Sequence, residues 1–230
     1  MNQLDVSKPR LLVFASGDAT GGGSGFEHLV CNQQAGVLVA EIVGVVSNHE
    51  KGGIAQKAQR LKIPFFHLVA PYTAEKYQGL ISQTGADFVA LSGWLKLVVG
   101  LDPTRTFNIH PGPLPEFGGS GLYGHHVHEE VLTAFRRGEI RHSAVSMHFV
   151  TPEYDRGPVF FFFPVAIQED DTPEILGARV NRYEHGWQSW VTNLVVNGLI
   201  SWDGKGPVNI PFWYRSMVFC PLKVKIEREG

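Results

Sequence analysis

The sequence predicts an α/β fold with a mainly parallel, doubly wound sheet whose C-terminal portion is partly antiparallel. Short continuous apolar runs alternate with helical patterns in the first half of the chain, which is typical of strands buried in a parallel sheet. In the second half, two alternating segments are joined only by a hairpin-like turn. A hydrophobic content of 43%, with 15 Phe and 5 Trp, is ample for a buried core.

The strands are justified in order by apolar runs that end at polar or glycine residues. The first run stops at Ser16 and Gly17, and the last two alternate in hydrophobicity. The predicted strands are residues 11–15, 40–47, 63–67, 86–91, a strand ending at 107–109, 143–150 and 159–167.

The helices fill the intervals between these strands. The last one has the clearest start, because Thr172 can cap it, Pro173 takes its first position and Glu174 lies in its first turn. The predicted helices are residues 26–34, 53–61, 71–84, 125–137 and a long helix from 172 to about 197.

Length and composition favour one domain over residues 1–230, with an aromatic tail from about residue 201 that packs over its surface. The formal charge of −2 argues against a nucleic-acid binder, and the apolar runs are too short to suggest a membrane span. Cys31 and Cys220 have no metal-like spacing, and the N-terminus has no apolar signal segment. We therefore expect a cytoplasmic protein that acts on small molecules, as a monomer or homodimer.

A glycine-rich loop, residues 17–25, joins the first strand to the first helix. This order brings backbone N–H groups and a helix N-terminus onto a phosphate or another anion. The loop lacks the Gly-Lys-Ser/Thr of a P-loop and does not clearly match a dinucleotide fingerprint. A flexible surface loop is the alternative.

Asn108 and His110 lie where a buried strand enters a proline-stiffened loop, and alternation places both on the same side. Asp155 lies at the tip of the turn 151–158. An amide that donates to an oxyanion, an imidazole that moves a proton and a carboxylate that orients it suffice for acyl transfer without a protein nucleophile. Buried structural Asn and His are commoner, so the residues alone leave both interpretations open.

Other catalytic chemistries have less support. His125, His126 and His128 form only an i, i+3 pattern with no evident further ligand, so we expect no metal. No Gly-x-Ser-x-Gly elbow is present, and neither cysteine has a nucleophile signature, which disfavours an acyl-enzyme.

Three motifs together carry a family resemblance: Asn108-Ile-His-Pro followed by Leu-Pro, Ser146-Met-His-Phe-Val, and Asp155-Arg-Gly-Pro. They resemble the signature of the folate-dependent formyltransferases, and within them the phosphoribosylglycinamide formyltransferases of purine biosynthesis. The resemblance covers most of the chain. It implies a Rossmann-like formyltransferase fold, 10-formyltetrahydrofolate as the formyl donor and the amine of glycinamide ribonucleotide as the acceptor.

The resemblance also implies roles for individual residues. Asn108 would bond the formyl oxygen, His110 would relay protons around the tetrahedral intermediate, and Asp155 would orient His110 and assist proton transfer. The implied substrate-binding residues are Gly23, Ser24, Gly25 and Glu184, and those lining the folate pterin site are Leu95, Lys96, Leu97 and Val98.

This sequence departs from the family pattern at two places. Gly25 stands where the family's phosphate loop has Asn, and the loop 118–124 is long and rich in glycine. Both departures lie where the acceptor would bind, so other acceptors and other functions are alternatives. A formyltransferase for an amino-sugar nucleotide or methionyl-tRNA, a formyltetrahydrofolate hydrolase, and a silent folate- or nucleotide-binding module are the alternatives.

Overall fold

A computed structural model describes residues 7–215 and contains a seven-stranded sheet. The strands are β1 (Arg10–Phe14), β2 (Glu41–Ser47), β3 (Phe65–His67), β4 (Phe88–Ser92), β5 (Thr106–His110), β6 (His142–Phe149) and β7 (Val159–Ala166). Their order is β3-β2-β1-β4-β5-β6-β7. The first five are parallel, whereas β6 is antiparallel to β5 and β7 to β6, which confirms the predicted fold class.

The first five helices occupy the predicted intervals, and a short sixth helix lies in the tail, where no helix was predicted. They are α1 (Ser24–Gln34), α2 (Gly53–Leu61), α3 (Ala74–Thr84), α4 (His125–Arg136), α5 (Pro173–Val196) and a short α6 (Phe212–Arg215). Strand β3 is shorter than predicted because the N–H of Ile63 bonds the Ala58 carbonyl and closes α2. Helix α3 starts later than predicted because Thr73 is still extended.

Alternate residues of the sheet face two separate cores. From β1, Leu11 and Val13 pack with α1 and α5, whereas Leu12 and Phe14 pack with α3 and Trp94. This double burial explains why the first strands read as continuous apolar runs.

The segment after α5 returns to the domain. Ser201 and Asn209 form a two-residue bridge, and the side chain of Trp213 is exposed. Tyr214, however, is fully buried and its hydroxyl donates to the Phe160 carbonyl at 2.9 Å, so this part of the tail completes the core. Cys220 lies outside the described residues. Between residues 7 and 215, no helix combines the length and apolarity needed to cross a membrane.

Candidate active site

A cavity of about 340 Å³ opens at the carboxyl ends of β1, β4 and β5, where open α/β sheets bind their ligands. Its floor is formed by β5 and the segment after β4. Its walls come from the glycine-rich loop before α1, the loop 119–124, the turn at Asp155 and the middle of α5. Eight of the eleven predicted site residues line it: Gly23, Ser24, Gly25, Leu95, Asn108, His110, Asp155 and Glu184.

The antiparallel pairing of β5 with β6 sets the position of the Asn108 amide. In this register Asn108 lies opposite His148, and His110 lies opposite Ser146. The Nδ2 of Asn108 is 3.2 Å from Nε2 of His148 and 3.3 Å from Oδ1 of Asp155. The amide is therefore held between an imidazole and a carboxylate.

Asp155 reaches this pair from the turn after β6. Its backbone has φ of +53°, a left-handed conformation that Asp tolerates better than most residues. The backbone N–H of Gly119 donates to Oδ2 at 3.1 Å. A Cβ on Gly118 would lie 2.8 Å from the Cβ of Asp155, so glycine there lets the loop close over the carboxylate.

Two imidazoles face this carboxylate, and backbone carbonyls fix their outer nitrogens. The Nε2–H of His110 donates to Phe117 O at 2.8 Å, and the Nδ1–H of His148 donates to Phe149 O at 2.8 Å. The inner nitrogens lie 3.7 Å (His110 Nδ1) and 3.3 Å (His148 Nε2) from the Asp155 oxygens. A proton on either inner nitrogen would lie between an imidazole and Asp155.

The burial of these groups sets their ionisation. Burial raises the pKa of the Asp155 carboxyl, but the hydrogen bond with His148 and the nearby imidazoles outweigh it, so this pKa lies below its ordinary value. Burial lowers the pKa of His110, although Asp155 opposes that shift. At neutral pH the site therefore presents a carboxylate beside a neutral His110.

The end of the cavity away from Asn108 and Asp155 is formed by the start of α1 and the middle of α5. Helix α1 begins at Ser24, directly after Gly23 in the left-handed conformation, and no side chain caps it. Its first N–H groups thus remain available to an anion, as the sequence predicts. Asp18 orders the loop by accepting from the N–H groups of Thr20 and Gly21.

The carboxyl of Glu184 lies beside this end, on α5. It is bonded by Nδ2 of Asn181 at 3.2 Å, and burial raises its pKa to about 7. A carboxyl whose charge is poorly solvated favours a ligand that donates hydrogen bonds to it.

The other three predicted residues line a separate hollow of about 40 Å³. Lys96, Leu97 and Val98 border it, whereas Leu95 faces the main cavity. Asn108 and Asp155 line both spaces. The amide and the carboxylate therefore belong to the partition between the two compartments, together with Trp94 and Tyr154, which also line both.

A formyl transferase family model matches residues 10–192. The chain belongs to the formyl transferase family. This finding confirms the family resemblance and implies a folate-derived formyl donor for its members.

Individual relatives extend the family assignment. A chloroplastic phosphoribosylglycinamide formyltransferase of Arabidopsis thaliana is 36% identical over 212 residues, which cover 86% of this chain and 69% of that protein. A formyltetrahydrofolate deformylase of Bacillus subtilis is 31% identical over 141 residues, 57% of this chain and 43% of that protein. The crystal structure of glycinamide ribonucleotide transformylase 1 from Symbiobacterium toebii shares the fold, with a TM-score of 0.77 at 24% identity, over 91% of this chain and 98% of that one.

Two groups in this candidate site have no role assigned from the sequence. His148 contacts both Asn108 and Asp155, and Ser146 Oγ donates to the Gly112 carbonyl at 2.7 Å, which ties the proline loop to β6. Both are polar residues inside an otherwise apolar strand, and their spacing of two residues places them on one face. That pattern could have identified them.

The histidines at the start of α4 form a surface cluster. His125 and His126 both bond Glu129, at 3.1 and 3.0 Å, so a carboxylate does accompany them, contrary to the sequence interpretation. His128 is buried, and burial lowers its pKa to about 4. Over residues 7–215, no group of three or more His, Cys, Asp or Glu is arranged to hold a metal ion.

Proposed function

We propose that this protein transfers the formyl group of 10-formyltetrahydrofolate to the amine of glycinamide ribonucleotide. The observation that carries the proposal is the position of Asn108 and Asp155 between two compartments. The pterin end of the folate would bind against residues 96–98, where the hollow of about 40 Å³ would have to widen to admit it. The larger cavity would receive the ribonucleotide, with its phosphate at Gly23, Ser24 and Gly25 and its ribose hydroxyls at Glu184.

The chemistry requires no protein nucleophile. The acceptor amine attacks the formyl carbon, and the new C–N bond leaves a negative charge on the formyl oxygen, to which Asn108 donates a hydrogen bond in place of its contact with His148 or Asp155. The proton lost by the amine passes through Asp155, which His110 and His148 hold in place, to N10 of the folate. The bond from the formyl carbon to N10 then breaks, giving formylated ribonucleotide and tetrahydrofolate.

Asn108 serves here as the oxyanion donor and Asp155 as the proton carrier, in agreement with the roles implied by the resemblance. We propose that His110 does not contact the substrate, because its two ring nitrogens face the Phe117 carbonyl and the Asp155 carboxylate. It orients the carboxylate and shares its proton rather than contacting the formyl oxygen.

A three-arm assay tests the proposal. The protein is incubated with 10-formyltetrahydrofolate and glycinamide ribonucleotide, an amino-sugar nucleotide, or buffer alone, and tetrahydrofolate release is followed. We expect release only with the ribonucleotide. Release in buffer would identify a hydrolase, release only with the amino sugar would change the acceptor, and binding without release in any arm would identify a silent module.

A further inference from the structure

The acceptor end of the cavity, formed by the start of α1 and the middle of α5, has few positively charged side chains. Among the described residues that line the cavity there is no Lys or Arg. The nearby Lys57 and Arg60 on α2 both bond the carboxylate of Glu27. A phosphate monoester carries a charge of roughly −1.5 to −2 at pH 7, so backbone N–H groups alone would face most of that charge.

A pair of histidines holds Ser24 at this end. Nε2 of His185 lies 2.9 Å from the hydroxyl oxygen of Ser24, and Nδ1–H of His28 donates to the Ser24 carbonyl at 3.0 Å. The two rings are stacked, with centroids 4.0 Å apart and planes 11° from parallel. Ser24 is thus fixed from α1 and from α5 at the same time.

We propose that His185 is a positioning residue for the acceptor: it directs the Ser24 hydroxyl toward the anionic group and, when protonated, supplies positive charge beside it. This inference rests on the proposed function, because it concerns the phosphate end of the same cavity. The hydroxyl carries one hydrogen. If His185 accepts that hydrogen, none is left for the ligand; if His185 donates to the oxygen, the hydroxyl hydrogen is free to bond the anion.

The surroundings of His185 favour proton uptake when an anion binds. His28 faces it from α1, whereas Glu184 and Arg182 flank it on α5, and the ion-paired Glu27 directly precedes His28 in the chain. Burial, and then His28, lower the pKa of His185 in the free protein. A phosphate would oppose both effects and raise this pKa, so binding should weaken as pH rises through the interval between the free and bound values.

The first test compares KM for glycinamide ribonucleotide in the wild type, His185→Gln and His185→Ala. The ratio of variant to wild-type KM cancels the titration of the substrate itself. For His185→Gln, which keeps a hydrogen-bond donor but not the charge, we expect a ratio of about ten at low pH that falls toward one at high pH. For His185→Ala we expect a raised ratio throughout, with kcat nearly unchanged. His67→Gln, an exposed histidine on β3, is the matched control and should behave as the wild type.

The second test needs no turnover. Calorimetry with inorganic phosphate in two buffers of different ionisation enthalpy should show more protons taken up per bound phosphate by the wild type than by His185→Gln, a difference from which the titration of the phosphate itself cancels. A pH-independent KM ratio, or equal proton uptake by the wild type and His185→Gln on phosphate binding, would overturn the inference even if formyl transfer is normal. Conversely, proton-linked phosphate binding without any transfer to the ribonucleotide would support the inference and overturn the proposed function.

Discussion

The two ends of the cavity are constructed differently. At the transfer end, Asn108, His148 and Asp155 already bond one another and their backbone. At the acceptor end, the N–H groups at the start of α1 have no capping side chain, and Glu184 has a single bond from Asn181. The groups at one end are held in place by one another without a ligand, whereas the other end leaves polar groups for a ligand to satisfy.

This difference separates two kinds of effect. A prearranged group acts when charge develops in the transition state, so changes at the transfer end should lower kcat. A group left available for the ligand contributes to ground-state binding, so changes at the acceptor end should raise KM.

The largest expected effect is at the transfer end. Asn108→Ala and His110→Ala should each reduce kcat by on the order of a hundredfold or more, because the first removes an oxyanion donor and the second a partner of Asp155. Steady-state kinetics measures the loss, and circular dichroism should show a folded protein. Asn193→Ala, at the far end of α5, removes the hydrogen bonds that Asn193 Oδ1 accepts from Val39 N–H and Asn197 Nδ2. This variant is the control and should keep full activity. Normal turnover in either Asn108→Ala or His110→Ala would contradict the proposed mechanism.

His148→Gln should move the acid limb of the kcat profile to higher pH. His148 helps to hold the pKa of Asp155 below its ordinary value, so the wild type keeps the carboxylate as pH falls. Without the imidazole the pKa of Asp155 rises, so this carboxylate is protonated, and activity is lost, at a higher pH than in the wild type. The measurement is kcat between about pH 4 and pH 8. Superimposable profiles would show that His148 does not act through Asp155.

Glu184→Gln should raise KM for the ribonucleotide and also raise thermal stability at high pH. The folded-state pKa of about 7 exceeds the ordinary value of 4.5, so the wild type loses stability as pH rises between these values. The variant lacks this loss, and its melting temperature should exceed that of the wild type by a few degrees above pH 7 and match it near pH 4.5. Equal melting temperatures at both pH values would contradict the assignment. The exposed Glu116→Gln is the control.

The smallest expected effect is that of Asp18→Ala. Its carboxylate orders the glycine-rich loop without lining the cavity. Loss of the bonds to Thr20 and Gly21 should raise KM for the ribonucleotide a few-fold through greater loop freedom and leave kcat unchanged. A change in kcat would mean that the two ends of the cavity are coupled.

Local patterns predicted much of this architecture. Apolar runs identified the strands, and capping residues located the start of α5, where Thr172 accepts from the N–H of Ile175. The sequence motifs also indicated Asn108, His110 and Asp155, which do converge. These features depend on neighbours in the chain, or on a family resemblance.

What escaped prediction depends on contacts between distant segments. The role of His148 follows from its register opposite Asn108, and the bond between His185 and Ser24 spans 161 positions. Tyr214 in α6 similarly bonds the carbonyl of Phe160, which belongs to the distant strand β7. The hydrophobic periodicity of a single segment cannot predict contacts between segments that are distant in the chain.

The central claim is direct transfer of an intact formyl group across the Asn108–Asp155 partition. It is tested most directly with 10-formyltetrahydrofolate carrying ¹⁸O in the formyl group, incubated with glycinamide ribonucleotide and examined by mass spectrometry. Direct transfer predicts formylated ribonucleotide that retains the label, with one tetrahydrofolate released for each product. Labelled formate released without formylated ribonucleotide would contradict the account.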